Sequence, residues 1–165
     1  RLRDVYKIEY DRLFEREVLT GQPEQYKQFL AFAATVSKSL SQNCVQNMND
    51  LGNLYEAALG VQKRYVRFCQ SIAAATGGVF NGARTKSIFR IFEKTAFRED
   101  PTMRYKTDRI LDLVRGALVY DDFDGIRKGL KALAEDDDFE LERMKNRFEK
   151  PTDGTSRGNT LLNIS

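Results

Sequence analysis

The sequence predicts an α+β protein in which an N-terminal antiparallel helical array is followed by a partial mixed sheet with flanking helices. Residues 1–75 carry apolar side chains every three to four positions, which is the period of amphipathic helices. Later segments show the short apolar or alternating runs that are typical of strands. The glycine-rich stretch 76–82 predicts a loop between a helical region, residues 1–78, and an α/β region, residues 79–165.

Three helices are predicted in the first region. Gly21 and Pro23 end the first helix and begin the second, because glycine is favoured just after a helix and proline in its first turn. The three apolar stripes contain Tyr10, Phe14 and Val18; Tyr26, Phe29, Ala33 and Val36; and Leu54, Ala58, Cys69 and Ile72. Each stripe needs a partner, so antiparallel packing of the helices is the simplest arrangement.

The second region is predicted to begin with a helix at 84–97, followed by strands at 112–120, 139–148 and 160–164 and by a helix at 123–134 between the first two strands. The packed side of the first helix is predicted to carry Ile88, Ile91, Phe92 and Thr95. Alternation in the second strand places Leu141, Arg143 and Lys145 on one face and Met144 on the other. A three-stranded sheet leaves an unpaired edge, so the chain is expected to be a piece of a longer polypeptide.

The composition is that of a globular chain, with 165 residues, 41% hydrophobic and 31% charged. The net charge is only +3, but residues 84–115 hold nine Lys and Arg against five Asp and Glu. No apolar run approaches the roughly 20 residues that span a bilayer, so membrane insertion is not expected. The two cysteines lack metal or disulfide spacing, which favours a reducing, intracellular compartment such as the cytoplasm.

The basic segment suggests an anion-binding surface. Arg90 and Lys94 are one helical turn apart, Lys86 comes one turn earlier, and Arg84 opens the row. Such a row suits a polyphosphate, although a solvated basic face is the alternative. Asp112, at the head of the first predicted strand, would hold a magnesium ion beside these cations, or form an ion pair with Arg109 or Arg115.

These residues resemble a family pattern. The order and spacing of Arg84, Lys86, Ser87, Ile91 and Lys94, then Asp112-Leu113, then Met144, Lys145 and Pro151, and then Arg157, resemble the synthetase domain of the RelA/SpoT-like alarmone (ppGpp) synthetases. The resemblance covers roughly residues 84–165. It implies a partial nucleotidyltransferase-like fold that binds ATP with Mg²⁺ and transfers a pyrophosphoryl group to the 3′-hydroxyl of a guanine nucleotide or a related acceptor. A degenerate domain of this fold would hold a nucleotide or an RNA without chemistry.

The resemblance also implies roles for individual residues. Asp112 and Lys145 would be catalytic, and Asp112 would be the metal ligand. The phosphate-binding or nucleotide-binding residues would be Arg84, Lys86, Arg90, Lys94, Arg147 and Arg157. Asn146 stands where the family has Asp, and Thr155-Ser156 where it has Gly-Tyr. The alternative is therefore a degenerate, non-catalytic domain, or a structural subunit that meets a protein partner through the helices of residues 1–75.

Overall fold

The computed structural model describes residues 2–41, 45–48, 50–82, 85–108, 110–148 and 158–164. Within these ranges the chain forms five α-helices and four strands, which confirms the predicted α+β class. The helices are α1 (Leu2–Phe14), α2 (Pro23–Ser39), α3 (Leu51–Thr76), α4 (Ile88–Ala96) and α5 (Phe123–Ala134), with a π-helix at Glu15–Thr20 and a 3₁₀ turn at Pro101–Met103. The strands are β1 (Val79–Gly82), β2 (Gly116–Val119), β3 (Leu141–Asn146) and β4 (Thr160–Ile164).

The chain packs as two compact units. Residues 1–42 and 120–165 form one, here called the terminal unit, and residues 43–119 form the other, here called the central unit. The helices predicted in residues 1–75 are present, with α1 and α2 in the terminal unit and α3 in the central unit. Their packing as one antiparallel array and the division into domains at residue 78 stay predictions.

The core of the terminal unit forms where α2 and α5 pack together and against β3. On α2, Phe29, Ala33 and Val36 are buried at helical spacing. The Phe29 ring is fully buried and contacts the rings of Phe123 and Phe148, with centroids 5.4 Å and 5.6 Å away. This aromatic cluster ties the N-terminal helices to the C-terminal part of the chain.

Strand β3 corrects the predicted alternation. Met144 is buried as expected, but Leu141 is buried on the same core and not with the exposed Arg143 and Lys145. The pairing of β3 with β4 shifts register between Leu141 and Arg143. A bulge at this point adds one residue to the strand, so two side chains three positions apart reach the same face.

The central unit is built on α3, a helix of 26 residues. The Asp50 carboxylate accepts a hydrogen bond from the Asn53 amide and caps its start, and Gly77, at φ 73°, ends it in the left-handed conformation that glycine adopts without strain. The buried core consists of Leu54, Ala58, Ile91, Ile110 and Leu113. Among the described residues, no helix is long and apolar enough to cross a membrane.

Strand β1 was not predicted, because it follows two glycines and ends in Gly82, a pattern that indicates a loop. It pairs antiparallel with β2, so that Gly82 faces Gly116. A Cβ atom on Gly116 would overlap the Phe80 ring, so the glycine allows this ring to cover the sheet. Strand β3 pairs with β4, so the described strands form two antiparallel pairs, and the partial nucleotidyltransferase-like mixed sheet stays a prediction.

Candidate anion-binding site

The start of α4 brings the basic segment together with Asp112. The Lys86 amide donates to the Leu113 carbonyl at 3.0 Å, which joins the chain before α4 to the chain before β2. The Ser87 hydroxyl accepts a hydrogen bond from the Arg90 amide at 3.4 Å and caps the helix. Helix α4 therefore begins at Ile88, later than the predicted residue 84, and Lys86 precedes it.

The packed side of α4 is narrower than predicted. Ile91 and Thr95 are buried, as expected, whereas Ile88 and Phe92 are exposed. The core of the central unit covers only the strip of α4 that is centred on Ile91. The rest of the helix surface is free to carry Arg90, Lys94 and exposed aromatic rings.

Two lysines converge on one carboxylate. The Lys86 Nζ lies 2.8 Å from Asp112 Oδ2 and 3.0 Å from Oδ1, and the Lys94 Nζ lies 3.4 Å from both oxygens. The Lys86 side chain is only 11% exposed, compared with 52% for Lys94 and 41% for Asp112. Asp112 thus forms ion pairs with two lysines, whereas the predicted alternative to metal binding was a pair with Arg115 or with Arg109, which lies outside the described residues.

Opposing effects act on the Asp112 carboxyl. Burial raises its pKa, because removal from water disfavours the charged form. The hydrogen bond from Lys86 and the positive charges of Lys94 and Lys86 lower the pKa and outweigh burial, so the group titrates below its ordinary value. Asp112 is therefore ionised at neutral pH and keeps two ammonium groups together.

A cavity of about 640 Å³ lies beside these lysines. Four cations line it, Lys86, Arg90, Lys94 and Arg115, and its wall also includes Ser87 and Glu93. The volume lies within the range of small-molecule sites, but the lining is cationic where such sites are usually apolar. The first turn of α4 adds the partial positive charge of a helix N-terminus. The arrangement suits an anion with several charges.

The other predicted site residues belong to the terminal unit or fall outside the described residues. Lys145 is exposed on β3 and Arg147 follows that strand, so both belong to the terminal unit. The Arg147 amide donates to the Asn159 carbonyl at 2.9 Å. Arg84 and Arg157 lie outside the described residues. The structure thus brings together Lys86, Arg90, Lys94 and Asp112 of the predicted set.

Arg115 lines the cavity, but the sequence analysis did not predict it as an anion-binding residue. It was considered only as an ion-pair partner for Asp112, whereas the structure places it on the cavity with the cations of α4. The sequence signal that could have placed Arg115 at the site was its position three residues after Asp112, directly before β2. The chain before β2 is hydrogen-bonded through the Leu113 carbonyl to the chain before α4, and this contact brings Arg115 close to the cations of α4.

The side chains around Asp112 do not match those of a resident magnesium site. Mg²⁺ in proteins takes carboxylate, phosphate and water oxygens. Here both Asp112 oxygens already accept from ammonium groups, and the described residues contain no group of three or more acidic, His or Cys side chains that could hold a metal. As arranged, the site does not fit a resident ion, and a magnesium role for Asp112 stays a prediction.

The low pKa of Asp112 leads to a test of the cluster. Since the folded-state pKa lies below the unfolded value of about 3.9, the stabilisation is complete above that value and is lost as the pH falls through the folded pKa. Asp112→Asn should lower the free energy of unfolding at neutral pH by at most about 1 kcal/mol, because the carboxylate is partly exposed and water screens its ion pairs. Urea unfolding at a series of pH values measures this difference.

The difference between wild type and variant should vanish in acid, where Asp112 is protonated and resembles Asn. Asp137→Asn, on the exposed loop after α5, is the control for loss of a negative charge alone. A difference that persisted unchanged at low pH would show that the ion pair with the lysines is not its source.

Comparisons of the chain with protein-family models, with curated proteins and with solved structures found no match. The resemblance to the RelA/SpoT-like synthetases therefore rests on the residues and spacings quoted from the sequence.

Proposed function

We propose that the cavity at the start of α4 binds the polyphosphate of a nucleotide. One observation carries this proposal: the side chains of Lys86, Arg90, Lys94 and Arg115 line the same cavity. Among the described residues that line it, Glu93 is the one carboxylate, and Asp112 pairs with Lys86 beside it. Phosphate oxygens would accept hydrogen bonds from the ammonium and guanidinium groups, and arginine can donate two at once.

The reaction implied by the resemblance is transfer of a pyrophosphoryl group from ATP to a 3′-hydroxyl of a guanine nucleotide or related acceptor. Phosphoryl transfer depends mainly on positioning and on stabilisation of charge. The cavity would contribute the binding of the donor phosphates. In this proposal the described strands are parts of a nucleotidyltransferase-like domain, and Lys145 acts as the resemblance implies.

Asp112 has a positioning role in this proposal. Two ammonium groups repel each other, and the carboxylate between them holds Lys86 and Lys94 within 3.4 Å of its oxygens. An arriving phosphate group competes with the carboxylate for the same donors. Asp112 therefore keeps the donors in place while lowering their net charge.

This role predicts that Asp112→Asn binds inorganic tripolyphosphate more tightly than wild type. The gain should be about two- to fivefold, since a partly exposed ion pair is worth at most about 1 kcal/mol. Calorimetric titration of tripolyphosphate and of ATP, each with and without Mg²⁺, measures the effect. If Asp112 instead holds magnesium, the variant loses the Mg²⁺ dependence of ATP binding and gains nothing for tripolyphosphate.

Absence of binding by both ligands at millimolar concentration would overturn the proposed function. Wild-type binding of tripolyphosphate without Mg²⁺ would support it directly, because the cations alone would then hold the anion.

A second candidate, a non-catalytic interaction subunit, is favoured by one observation. Val5, Tyr6, Ile8, Leu13 and Leu19 on α1 and the π-helix are each about half exposed or more. Large exposed apolar patches on proteins indicate contact surfaces. Sedimentation of the chain tests self-association, and a single species at every concentration would count against this surface joining copies of the chain.

A further inference from the structure

Helix α4 exposes phenylalanine rings beside the cationic cavity. Phe89 is 86% exposed, Phe92 is 50% exposed, and Phe97, which follows the helix, is 81% exposed. A single exposed ring needs no explanation, but three within nine residues are unusual for a helix whose core contact is already filled by Ile91 and Thr95. The packing of the central unit does not require these rings.

Helical spacing places the Phe89 ring next to Glu93, which lies between the rings and the cations Arg90 and Lys94. Phe89 is a neighbour of Phe92 on one side, at i and i+3, and of Glu93 on the other, at i and i+4. Glu93 and the adjacent Arg90 form an ion pair of 2.8 Å and both line the cavity. The aromatic edge of α4 therefore borders the cationic wall.

We propose that this combined surface binds single-stranded nucleic acid, with successive bases stacked on Phe89 and Phe92 and the strand's phosphates held by Arg90, Lys94 and Arg115. This inference rests on the proposed function and specifies its ligand class. Aromatic rings next to a cationic groove are the combination used for single strands, because every base has a face that stacks and every nucleotide a phosphate.

Two features favour a strand over other ligands. The Cβ atoms at positions i and i+3 lie about 5–6 Å apart, which leaves room for two neighbouring bases, whereas a mononucleotide would use one ring. The charge beside the rings is predominantly positive, which complements a phosphate backbone. A duplex would not fit in the same way, because its bases are stacked on each other and cannot reach the rings.

The test uses a labelled strand of about 12 nucleotides, which lies within the usual site sizes of single-strand binders, as RNA and as DNA. Fluorescence anisotropy measures its affinity, and calorimetry measures tripolyphosphate affinity on the same variants. We expect Phe89→Leu, which keeps apolar bulk, to weaken strand binding by at least about fivefold, and Phe89→Tyr to keep wild-type affinity. Tripolyphosphate affinity should be equal in all three proteins.

Tyr6→Leu is the matched control, because Tyr6 is 73% exposed on α1 of the terminal unit, and it should leave strand affinity unchanged. Equal strand binding by Phe89→Leu and wild type would overturn the inference. Binding of tripolyphosphate without binding of either strand would also overturn it, would leave the proposed function intact, and would assign the aromatic edge to a protein partner. If neither the RNA strand, the DNA strand nor tripolyphosphate binds, both proposals are wrong.

Discussion

Arg90→Ala combined with Lys94→Ala is expected to abolish measurable tripolyphosphate binding. A hydrogen bond to a charged group contributes about 1.5–3 kcal/mol, so loss of two donors corresponds to a weakening of roughly 10²- to 10⁴-fold. Both side chains are exposed, and their partners Glu93 and Asp112 lie 2.8 Å and 3.4 Å away at the surface. Such pairs add little to stability, so the thermal transition should remain nearly unchanged.

Calorimetry and a thermal melt of the same protein separate these two effects. The matched control is Lys128→Ala with Lys131→Ala, which removes two exposed cations from α5 in the terminal unit. The control should bind tripolyphosphate as wild type does. If the Arg90 and Lys94 variant also bound normally, the row on α4 would be only a solvated basic face.

Phe29→Ala is expected to cause the largest loss of stability, about 3–5 kcal/mol in the free energy of unfolding. The side chain is fully buried and contacts two other rings, so its removal leaves a cavity that α2 and α5 cannot close without moving. Urea unfolding followed by circular dichroism measures the loss. Because a stable domain has only about 5–15 kcal/mol in total, this loss is a large share of the stability.

Phe89→Ala serves as the comparison, since it removes the same side chain from an exposed site. Its effect on stability should stay within about 0.5 kcal/mol. Equal stability of the two variants would contradict the burial of Phe29 at the centre of the terminal unit.

Asp112 shows how one residue supports two interpretations until its neighbours are known. Its position after a basic segment and before a strand suggested a metal ligand, and its two lysine partners show that it organises the cations. Both interpretations place it beside the same phosphate groups. The tripolyphosphate and magnesium titrations separate them, because only the metal interpretation makes Asp112→Asn lose the Mg²⁺ dependence of ATP binding that the wild type shows.

The elements with strong local signals could be predicted from the sequence. Helix α5 spans the predicted residues 123–134, because Asp122 caps its start and its apolar residues recur at helical spacing. Strand β4 was predicted within one residue. Strand β1 was missed, since four residues that end in a glycine carry too little pattern, and it exists because β2 provides a pairing partner.

The sequence by itself determined which side chains one turn of helix brings together. Arg90 and Lys94 share a face because the helix repeats every 3.6 residues, and no distant contact is needed for that. Only the tertiary structure decided which residue from a distant part of the chain contacts these cations. Asp112 lies 26 residues from Lys86 and 18 from Lys94, and it meets them because the chain before β2 is hydrogen-bonded to the chain before α4.

The same division applies to burial. Periodicity indicated an apolar arc on α4, but how much of that arc is covered depends on the residues that α3 and the Ile110–Leu113 segment supply. Those residues cover Ile91 and leave Ile88 and Phe92 exposed. A local sequence pattern indicates which side chains can be buried. Packing between distant segments decides which of them are buried, because burial requires a partner surface of matching size.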